Sequence, residues 1–449
     1  MAAIATPLAA SAISIIRLSG PDALSIVDQM CTRNVADQKS HTIQYGFIID
    51  QDQAFIDEVL ISVFRAPKSY TCEDVVEINA HGGPYVARQV LQRALSLGAR
   101  LANPGEFTQR AFLNGRIDLS QAEAVEDMIE ASNEGARRQA IDSIRGEIRK
   151  LLEPLIEELM NLIANIEVNV DYPEYEDAEQ LTAQTLLPRS KGLLEQMDAL
   201  LACSKKGFAL QDGIQTVIIG RPNVGKSSLL NALLHEEKAI VTDIAGTTRD
   251  LVEGRLLVGP FALNLVDTAG IRQGADQIEQ IGIEKSRQSM EKADLILLVL
   301  DGSQPLDSQD YDLLEQTKDK KRIVLINKQD LPEAFSLDSL LLQERDQERI
   351  ISISAKDGDI APLERALEEL FDADGFVWQP RLSNERQIGL LQQARQDLLN
   401  AKEAMELGVE PDLIEMDLLA SHDHLKEILG EVHRDDLLDT LFSRFCLGK

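Results

Sequence analysis

The chain is poor in positive charge. Its 449 residues carry 45 Lys and Arg against 75 Asp and Glu, a formal net charge of −30. That excludes a broad basic face for sequence-independent nucleic-acid binding, so any RNA contact must be local or shared with a partner. Cysteine is scarce as well. Cys31, Cys72, Cys203 and Cys446 are scattered without zinc-ligand spacing, which suits a reducing compartment. No apolar run approaches the roughly 20 residues that a membrane-spanning helix needs. The opening Met-Ala-Ala-Ile-Ala-Thr-Pro lacks the basic and long apolar regions of a signal peptide. The expectation is a cytoplasmic protein with no membrane contact, and its length suits about three domains.

What the chain does have is a phosphate-binding loop. Gly220-Arg221-Pro222-Asn223-Val224-Gly225-Lys226-Ser227-Ser228 fits G-x-x-x-x-G-K-[ST]. It follows Thr216-Val217-Ile218-Ile219, which reads as a buried strand, and precedes Leu229 to Leu234, which reads as a helix. Backbone N–H groups of such a loop close around phosphate oxygens, and the helix N-terminus adds a favourable dipole. Lys226 is expected to reach the β- and γ-phosphates, and the Ser227 hydroxyl to ligate Mg²⁺.

Three further motifs follow apolar strands in the same way. Asp267-Thr268-Ala269-Gly270 succeeds Leu263 to Val266, and places an acid where it contacts the Mg²⁺ shell. Asn327-Lys328-Gln329-Asp330 succeeds Ile323 to Ile326, and its Asp330 carboxylate can accept from the N1–H and amine of guanine but finds no such pair on adenine. Ser354-Ala355-Lys356 succeeds Ile350 to Ile353 and supports the same base. Motifs at successive strand ends match the ligand-binding edge of an open α/β sheet. The ligand read from them is GTP, and the expected contacts run from Asn223 through Ser228, with Thr242, Asp243, Ile244, Ala245, Gly246, Thr247 and Thr248 as switch I.

The expected organisation is multidomain α/β. Residues 1–116 read as an α+β domain, 117–207 as the first part of a helical bundle, 208–378 as a Ras-like GTPase domain, and 379–449 as the second part of the bundle. The tail is too short for a bundle of its own, so the GTPase domain is read as inserted between two halves. Glu73 to Asn79 reads as an alternating strand ending at His81-Gly82-Gly83-Pro84. His81 there is either a catalytic group or a structural turn residue. Ser120-x-x-Glu123 reads as a capping box that opens the long helical region. Leu151, Leu152, Leu155, Ile156, Leu159, Leu162, Ile163 and Ile166 form its packed stripe. Arg138, Arg145 and Arg149 read as one side of a helix, facing either RNA or solvent.

Ile271 follows Asp267-Thr268-Ala269-Gly270, where Ras-like enzymes carry the glutamine that orients the attacking water. Another acid or ion must serve.

From end to end the chain resembles the MnmE (TrmE) family of bacterial tRNA-modification GTPases. The shared stretches are His81-Gly82-Gly83-Pro84, Pro104-Gly105-Glu106-Phe107, Ala111-Phe112-Leu113-Asn114, Gly220 to Ser228, Gly246-Thr247-Thr248-Arg249-Asp250 and the terminal Phe445-Cys446-Leu447-Gly448-Lys449. The resemblance implies a potassium-activated GTPase in which Asn223, Thr242, Ile244 and Thr247 hold K⁺, Ser227 and Thr248 hold Mg²⁺, and Glu279 orients water. It further implies an N-terminal domain that dimerises and binds 5-formyl- or 5,10-methylene-tetrahydrofolate through Arg17, Glu77, Arg116 and Lys449. Cys446 would be either a nucleophile or a positioning residue. The family's partner is a flavin-containing MnmG-type protein, in a heterotetramer or larger complex, and the product is 5-carboxymethylaminomethyluridine at tRNA wobble position 34. The pterin-side departure is Pro7-Leu8-Ala9-Ala10-Ser11-Ala12, which carries no glycine. Two rivals from other classes are an Era-like ribosome-assembly switch and a septin-like polymerising scaffold. Missing basic RNA-binding modules count against the first, and a complete GTPase motif set counts against the second.

Overall fold

The structure is a computed structural model. It describes residues 1–131, 133–171, 185–235, 252–258, 261–266, 290, 293–335, 348–358, 361–371, 380–432, 441–442, 445 and 448. These divide into two compact units. The first comprises Met1–Ile129, Ser143–Leu194 and Gly389–Lys449, and the second Glu130–Asp142 and Glu195–Ile388.

The first unit holds a five-stranded antiparallel sheet in the order β1-β2-β5-β4-β3. The strands are β1 (Ala2–Ile4), β2 (Ile13–Ser19), β3 (Thr42–Ile49), β4 (Phe55–Phe64) and β5 (Val75–His81). Alternation decides its two faces. Ile16, Leu18, Val76, Ile78, Ile61 and Val63 are buried. They pack on the apolar sides of α1 (Ala23–Met30) and α2 (Pro84–Ser96), which contribute Val27, Met30, Ala87, Val90 and Ala94. The opposite face stays open. It shows Ile13, Ile43, Tyr45 and Leu60 to solvent, and Arg17 pairs with Glu77 in the same register.

Strand β5 begins at Val75 rather than Glu73, because the two acids before it are occupied by loop contacts. Glu73 accepts from Ser19 Oγ and Arg110, and Asp74 Oδ1 accepts from the Ala66 N–H.

Past α3 (Glu106–Leu113), the helical elements of this unit include α4 (Leu119–Glu130) and α6 (Glu147–Asp171). The capping box at α4 lies two residues earlier than Ser120-x-x-Glu123. Asp118 Oδ1 accepts from the Gln121 N–H at 2.9 Å, and Gln121 Oε1 accepts from the Asp118 N–H at 2.9 Å. A carboxylate suits the positive helix terminus better than a hydroxyl, so Ser120 enters the helix, fully buried, and donates to Asp118 at 2.6 Å. On α6, Leu152, Leu155, Leu159, Leu162, Ile163 and Ile166 are buried while Leu151 and Ile156 are half-buried. This helix packs along α12 (Pro411–Leu429). Helix α5 (Glu134–Ile144) and the long helices α7 (Leu187–Asp212) and α11 (Glu385–Glu406) are each divided between the two units. Leu390, Leu391, Ala394, Leu398 and Ala401 form the buried stripe of α11.

The second unit is built on a six-stranded sheet in the order β11-β10-β9-β6-β8-β7. Its strands are β6 (Ile214–Ile219), β7 (Val252–Val258), β8 (Phe261–Val266), β9 (Leu295–Asp301), β10 (Arg322–Asn327) and β11 (Glu348–Ser352). All neighbours are parallel except the β7–β8 hairpin. The central strands β9 and β10 are buried along their whole length, as a doubly covered parallel sheet requires. Helices α8 (Lys226–His235), α9 (Ser308–Gln316) and α10 (Ala361–Phe371) flank it. Order reverses across β6, and the P-loop leaves β6 at that point.

Candidate functional site

The nucleotide motifs converge because strand ends do. Gly220 leaves β6 with φ 153°, and a Cβ there would overlap the Val299 carbonyl on β9. Asn223 turns the loop in a left-handed conformation (φ 65°), which asparagine tolerates better than most residues. Its side chain is exposed. Gly225 has φ 102°, and a Cβ there would overlap Asn327 Nδ2, so only glycine lets the P-loop and the base motif approach so closely. Asn327 uses the approach on both sides. Its amide donates to the Val224 carbonyl at 2.8 Å and its oxygen accepts from the Ala355 N–H at 3.0 Å. One buried side chain thus ties three motifs together.

Lys226 opens α8 and donates to the carbonyls of Gly220 at 2.6 Å and Arg221 at 2.7 Å. An ammonium has three donors, so one remains to meet phosphate. Burial pushes its pKa below the ordinary lysine value, and an anion beside it reverses that shift. Ser227 follows on the first turn of α8. At the base end, Asp330 lies 3.4 Å from Ser354 Oγ and 3.7 Å from Lys356 Nζ, which brings the Asn327–Asp330 and Ser354–Lys356 segments together. Lys328 adopts φ 68° and donates to Asp301 Oδ2 at 2.6 Å. Burial raises the Asp301 carboxyl, but the bonds from Lys328 and from Ser303 outweigh it and hold its pKa low. Neither Asp301 nor the side chain of Arg221 stood out in the sequence.

The switch I residues Thr242, Asp243, Ile244, Ala245, Gly246, Thr247 and Thr248 lie outside the described residues. So do Asp267, Thr268, Ala269, Gly270, Ile271, Glu279, Cys446 and Lys449.

A second cluster stands on the open face of the N-terminal sheet. Arg17 Nε donates to Glu77 Oε1 at 2.8 Å, and Arg17 Nη1 donates to the Gly448 carbonyl at 3.1 Å, across 431 positions of sequence. Gly448 has φ 94°, and a Cβ there would sit 2.8 Å from both Ala5 Cα and the Ile4 carbonyl. Phe442 and Phe445 are buried with Phe112 and Leu119. Gly105 (φ 67°) lets that pair approach, since a Cβ there would overlap the Phe442 carbonyl.

Tyr70 lies under both cations. The Arg116 guanidinium is 4.8 Å from its ring centroid and that of Arg17 is 5.8 Å away, while Arg17 is also 5.6 Å from the Phe107 ring. Tyr70 is held by a 2.9 Å bond between its hydroxyl and Thr108, and its carbonyl accepts from Arg116 at 3.3 Å. The only cue in the sequence is a lone aromatic in Ser69-Tyr70-Thr71. A cavity of about 470 Å³ opens beside Arg116, lined also by Phe112, Gln121 and Arg149.

His81 closes β5. Its backbone N–H and its Nδ1 each meet an oxygen of Asp57 at 2.7 Å, and this raises its pKa. It is a strand-end residue fixed by a carboxylate. The three arginines grouped by sequence are not one face. Arg149 sits on α6, bound to Asp118 at 3.0 Å and Glu431 at 2.8 Å, and Arg138 pairs with Glu134 on α5. The charges of Arg138 and Arg149 are taken up by acids on neighbouring turns and segments.

Several of the described residues leave polar atoms for a ligand. Glu77 Oε2 carries no bond among the described residues, so it can accept from a pterin. The Arg17 and Arg116 guanidiniums present donors to a carboxylate. Ser227 stands where a loop hydroxyl meets a phosphate-bound cation.

The family model described as "GTP-binding protein TrmE N-terminus" matches residues 1–116, and that described as "MnmE helical domain" matches 119–446. Three relatives bear the name "tRNA modification GTPase MnmE". The chain is 46% identical to that of Lactiplantibacillus plantarum and 49% identical to that of Enterococcus faecalis, covering all of this chain and 98% of each relative. It is 47% identical to that of Bacillus licheniformis, covering all of this chain and 99% of the relative. With both family models and full-length relatives in agreement with the P-loop unit and the N-terminal cluster, this chain belongs to the MnmE family of tRNA modification GTPases.

Proposed function

We propose that the chain is a potassium-activated GTPase that modifies wobble uridine 34 of certain tRNAs to 5-carboxymethylaminomethyluridine, together with a flavin-containing MnmG-type partner. It works in the cytoplasm as a homodimer, within a heterotetramer or larger assembly. The observation that carries the folate half is the convergence of Arg17, Glu77, Arg116 and the Gly448 carbonyl around Tyr70. A bound 5-formyl- or 5,10-methylene-tetrahydrofolate supplies the one-carbon unit. Arg17, Glu77, Arg116 and Lys449 would hold it, with Glu77 accepting from the pterin, and Cys446 would act as a nucleophile or a positioning residue. The exposed Ile13, Ile43, Tyr45 and Leu60 on the same sheet face support a second copy as the dimer partner, because apolar side chains grouped on one face mark an interaction surface.

In the GTPase unit Lys226 orients the phosphates and Asp330 selects guanine. Ser227 and Thr248 are the residues that would hold Mg²⁺. Asn223, Thr242, Ile244 and Thr247 would hold K⁺, whose charge serves where other GTPases use an arginine, a role worth roughly 10³–10⁵ in rate. Glu279 orients the attacking water. No helix among the described residues is long and apolar enough to cross a membrane.

Mass spectrometry of tRNA treated with the purified pair and labelled folate tests the reading. Label in the C5 substituent of uridine 34 is the expected result, and unlabelled uridine 34 overturns it. GTP turnover in potassium against sodium at equal ionic strength tests the cation arm separately, and equal rates would remove it.

A further inference from the structure

Two charged contacts converge on one turn of the GTPase unit, the segment from Asp301 at the end of β9 to Asp310 in α9. From one side, Arg221 of the P-loop donates through Nη1 to Asp307 Oδ2 at 2.8 Å, and its Nε lies 3.4 Å from Asp310 Oδ2. From the other, Lys328 of the base motif donates to Asp301 Oδ2 at 2.6 Å. The turn is itself rigid. Asp307 caps α9 by accepting from the Gln309 and Asp310 N–H groups, and Asp310 returns the bond to the Asp307 N–H at 3.2 Å. Asp301 Oδ1 accepts from the Ser303 N–H at 3.0 Å and from Ser303 Oγ at 2.6 Å. Arg221 is only 12% exposed and Asp310 fully buried, while Asp307 is 46% exposed, so solvent screens one arm of this anchor and not the other. Arg221 is also one of the two residues whose carbonyls receive the Lys226 ammonium.

We propose that Arg221 is a positioning residue for GTP: its side chain moors the P-loop to the N-terminus of α9, so that its carbonyl aims the Lys226 ammonium at the phosphates. Asp301 acts in the same way on Lys328, at the base end of the site. This rests on the reading of the chain as a GTPase. A fluorescent GTP analogue titrated into the full-length protein tests it, with steady-state turnover and melting temperature measured alongside. Arg221→Ala is expected to weaken binding about tenfold and raise KM by a similar factor, with a smaller loss in kcat. Its preference for GTP over xanthosine triphosphate should stay unchanged. Arg221→Lys should recover part of the loss, because a lysine reaches one carboxylate but cannot span both. Asp301→Asn is expected to do the reverse, eroding base preference more than phosphate affinity. Unchanged affinity and KM in a folded Arg221→Ala protein overturns the proposal. So does parallel loss of base preference, which marks general loosening. Failure of the wild-type protein to bind GTP overturns the GTPase reading itself, a separate outcome.

Discussion

The nucleotide site and the N-terminal cluster are assembled by opposite means. In the P-loop, the work is done by backbone over nine consecutive residues. Glycines at 220 and 225 permit contacts that any Cβ would block, and the lysine bonds carbonyls five and six residues away. In the N-terminal cluster, the work is done by side chains from distant segments. Arg17, Glu77, Tyr70, Arg116 and Gly448 meet only because a sheet, a loop, a helix end and the C-terminal tail bring them together. A backbone site tolerates no added atom but survives many side-chain changes. A side-chain site should fail gradually, one contact at a time.

The largest effect should come from testing that contrast with the same substitution in both places. Gly225→Ala forces a Cβ onto Asn327 Nδ2 at φ 102° and severs the tie between loop and base motif. GTP affinity is expected to fall by more than about 10³, while tetrahydrofolate affinity is kept, since a strained φ and a backbone shift together cost several kcal/mol. Gly448→Ala, at φ 94°, should undock the carbonyl from Arg17, weakening tetrahydrofolate about tenfold with GTP affinity kept. Calorimetric titration of both ligands into both variants measures it. If either substitution damages both sites equally, the two do not stand on separate supports.

A second effect is an acid dependence confined to the N-terminal domain. Burial alone would push the Glu106 carboxyl up, but bonds from Arg100, the Asn103 N–H and Arg110 bring it down to about 2, against 4.5 unpaired. A depressed carboxyl contributes stability above pH 4.5 and loses it as pH falls from 4.5 toward 2. Allowing for the exposure of Arg100, the contribution at neutral pH is about 2 kcal/mol. The opening equilibrium of β1 and β2 amides, taken as their hydrogen exchange relative to the intrinsic rate at each pH, should rise across that window in the wild type. In Glu106→Gln it should be high already at pH 6 and change little below. A wild-type profile flat between pH 4.5 and 3 would mean the carboxylate is not held by those partners.

The same contrast explains what could be read from the sequence. The P-loop, Asn327 to Asp330 and Ser354 to Lys356 were legible because each is a contiguous string at the end of an apolar strand. The strands β6, β8, β10 and β11 were legible too, as the apolar runs that precede each motif. Asp301 and the mooring of Arg221 were not, since each pairs with a group 27 or more positions away. The Gly448 carbonyl and Tyr70 escaped for the same reason. A carbonyl has no sequence signature, and an aromatic beside two cations is visible only once the chain is folded. Strand β1 is three residues long and takes its register from Ile16 to Leu18, so local pattern could not reveal it. The cap of α4 lies at Asp118, whose carboxylate takes the Gln121 N–H, and Ser120 donates to that same carboxylate instead of capping.

A third measurement sharpens the base end of the nucleotide site. Asp330→Asn replaces the acceptor for the guanine amine with a group that also donates. Preference should swing from GTP toward xanthosine triphosphate by about a hundredfold, as two charge-assisted bonds at roughly 1.5–3 kcal/mol each allow. Competition between the two nucleotides measures it. An unchanged preference would mean that Asp330 does not face the base.

The smallest effect, and the one that most directly probes a side-chain site, is at Tyr70. Its ring lies 4.8 Å from the Arg116 guanidinium and 5.8 Å from that of Arg17, and its hydroxyl is tied to Thr108. Each cation over an aromatic face contributes about 0.5–1 kcal/mol at a partly exposed position. Tyr70→Leu removes both faces while keeping apolar bulk against Phe107, so 5-formyl-tetrahydrofolate should bind about tenfold more weakly. Tyr70→Phe keeps the faces and loses only the tether, so the loss should be about threefold. Placing Arg116→Lys in each background isolates the coupling, because lysine keeps the charge but not the planar stack. Arg116→Lys should weaken binding in the Phe background and add little in the Leu background. Equal, additive losses in the two backgrounds would show that the ring does not place the cation, and that Arg116 is held by its bond to the Tyr70 carbonyl alone.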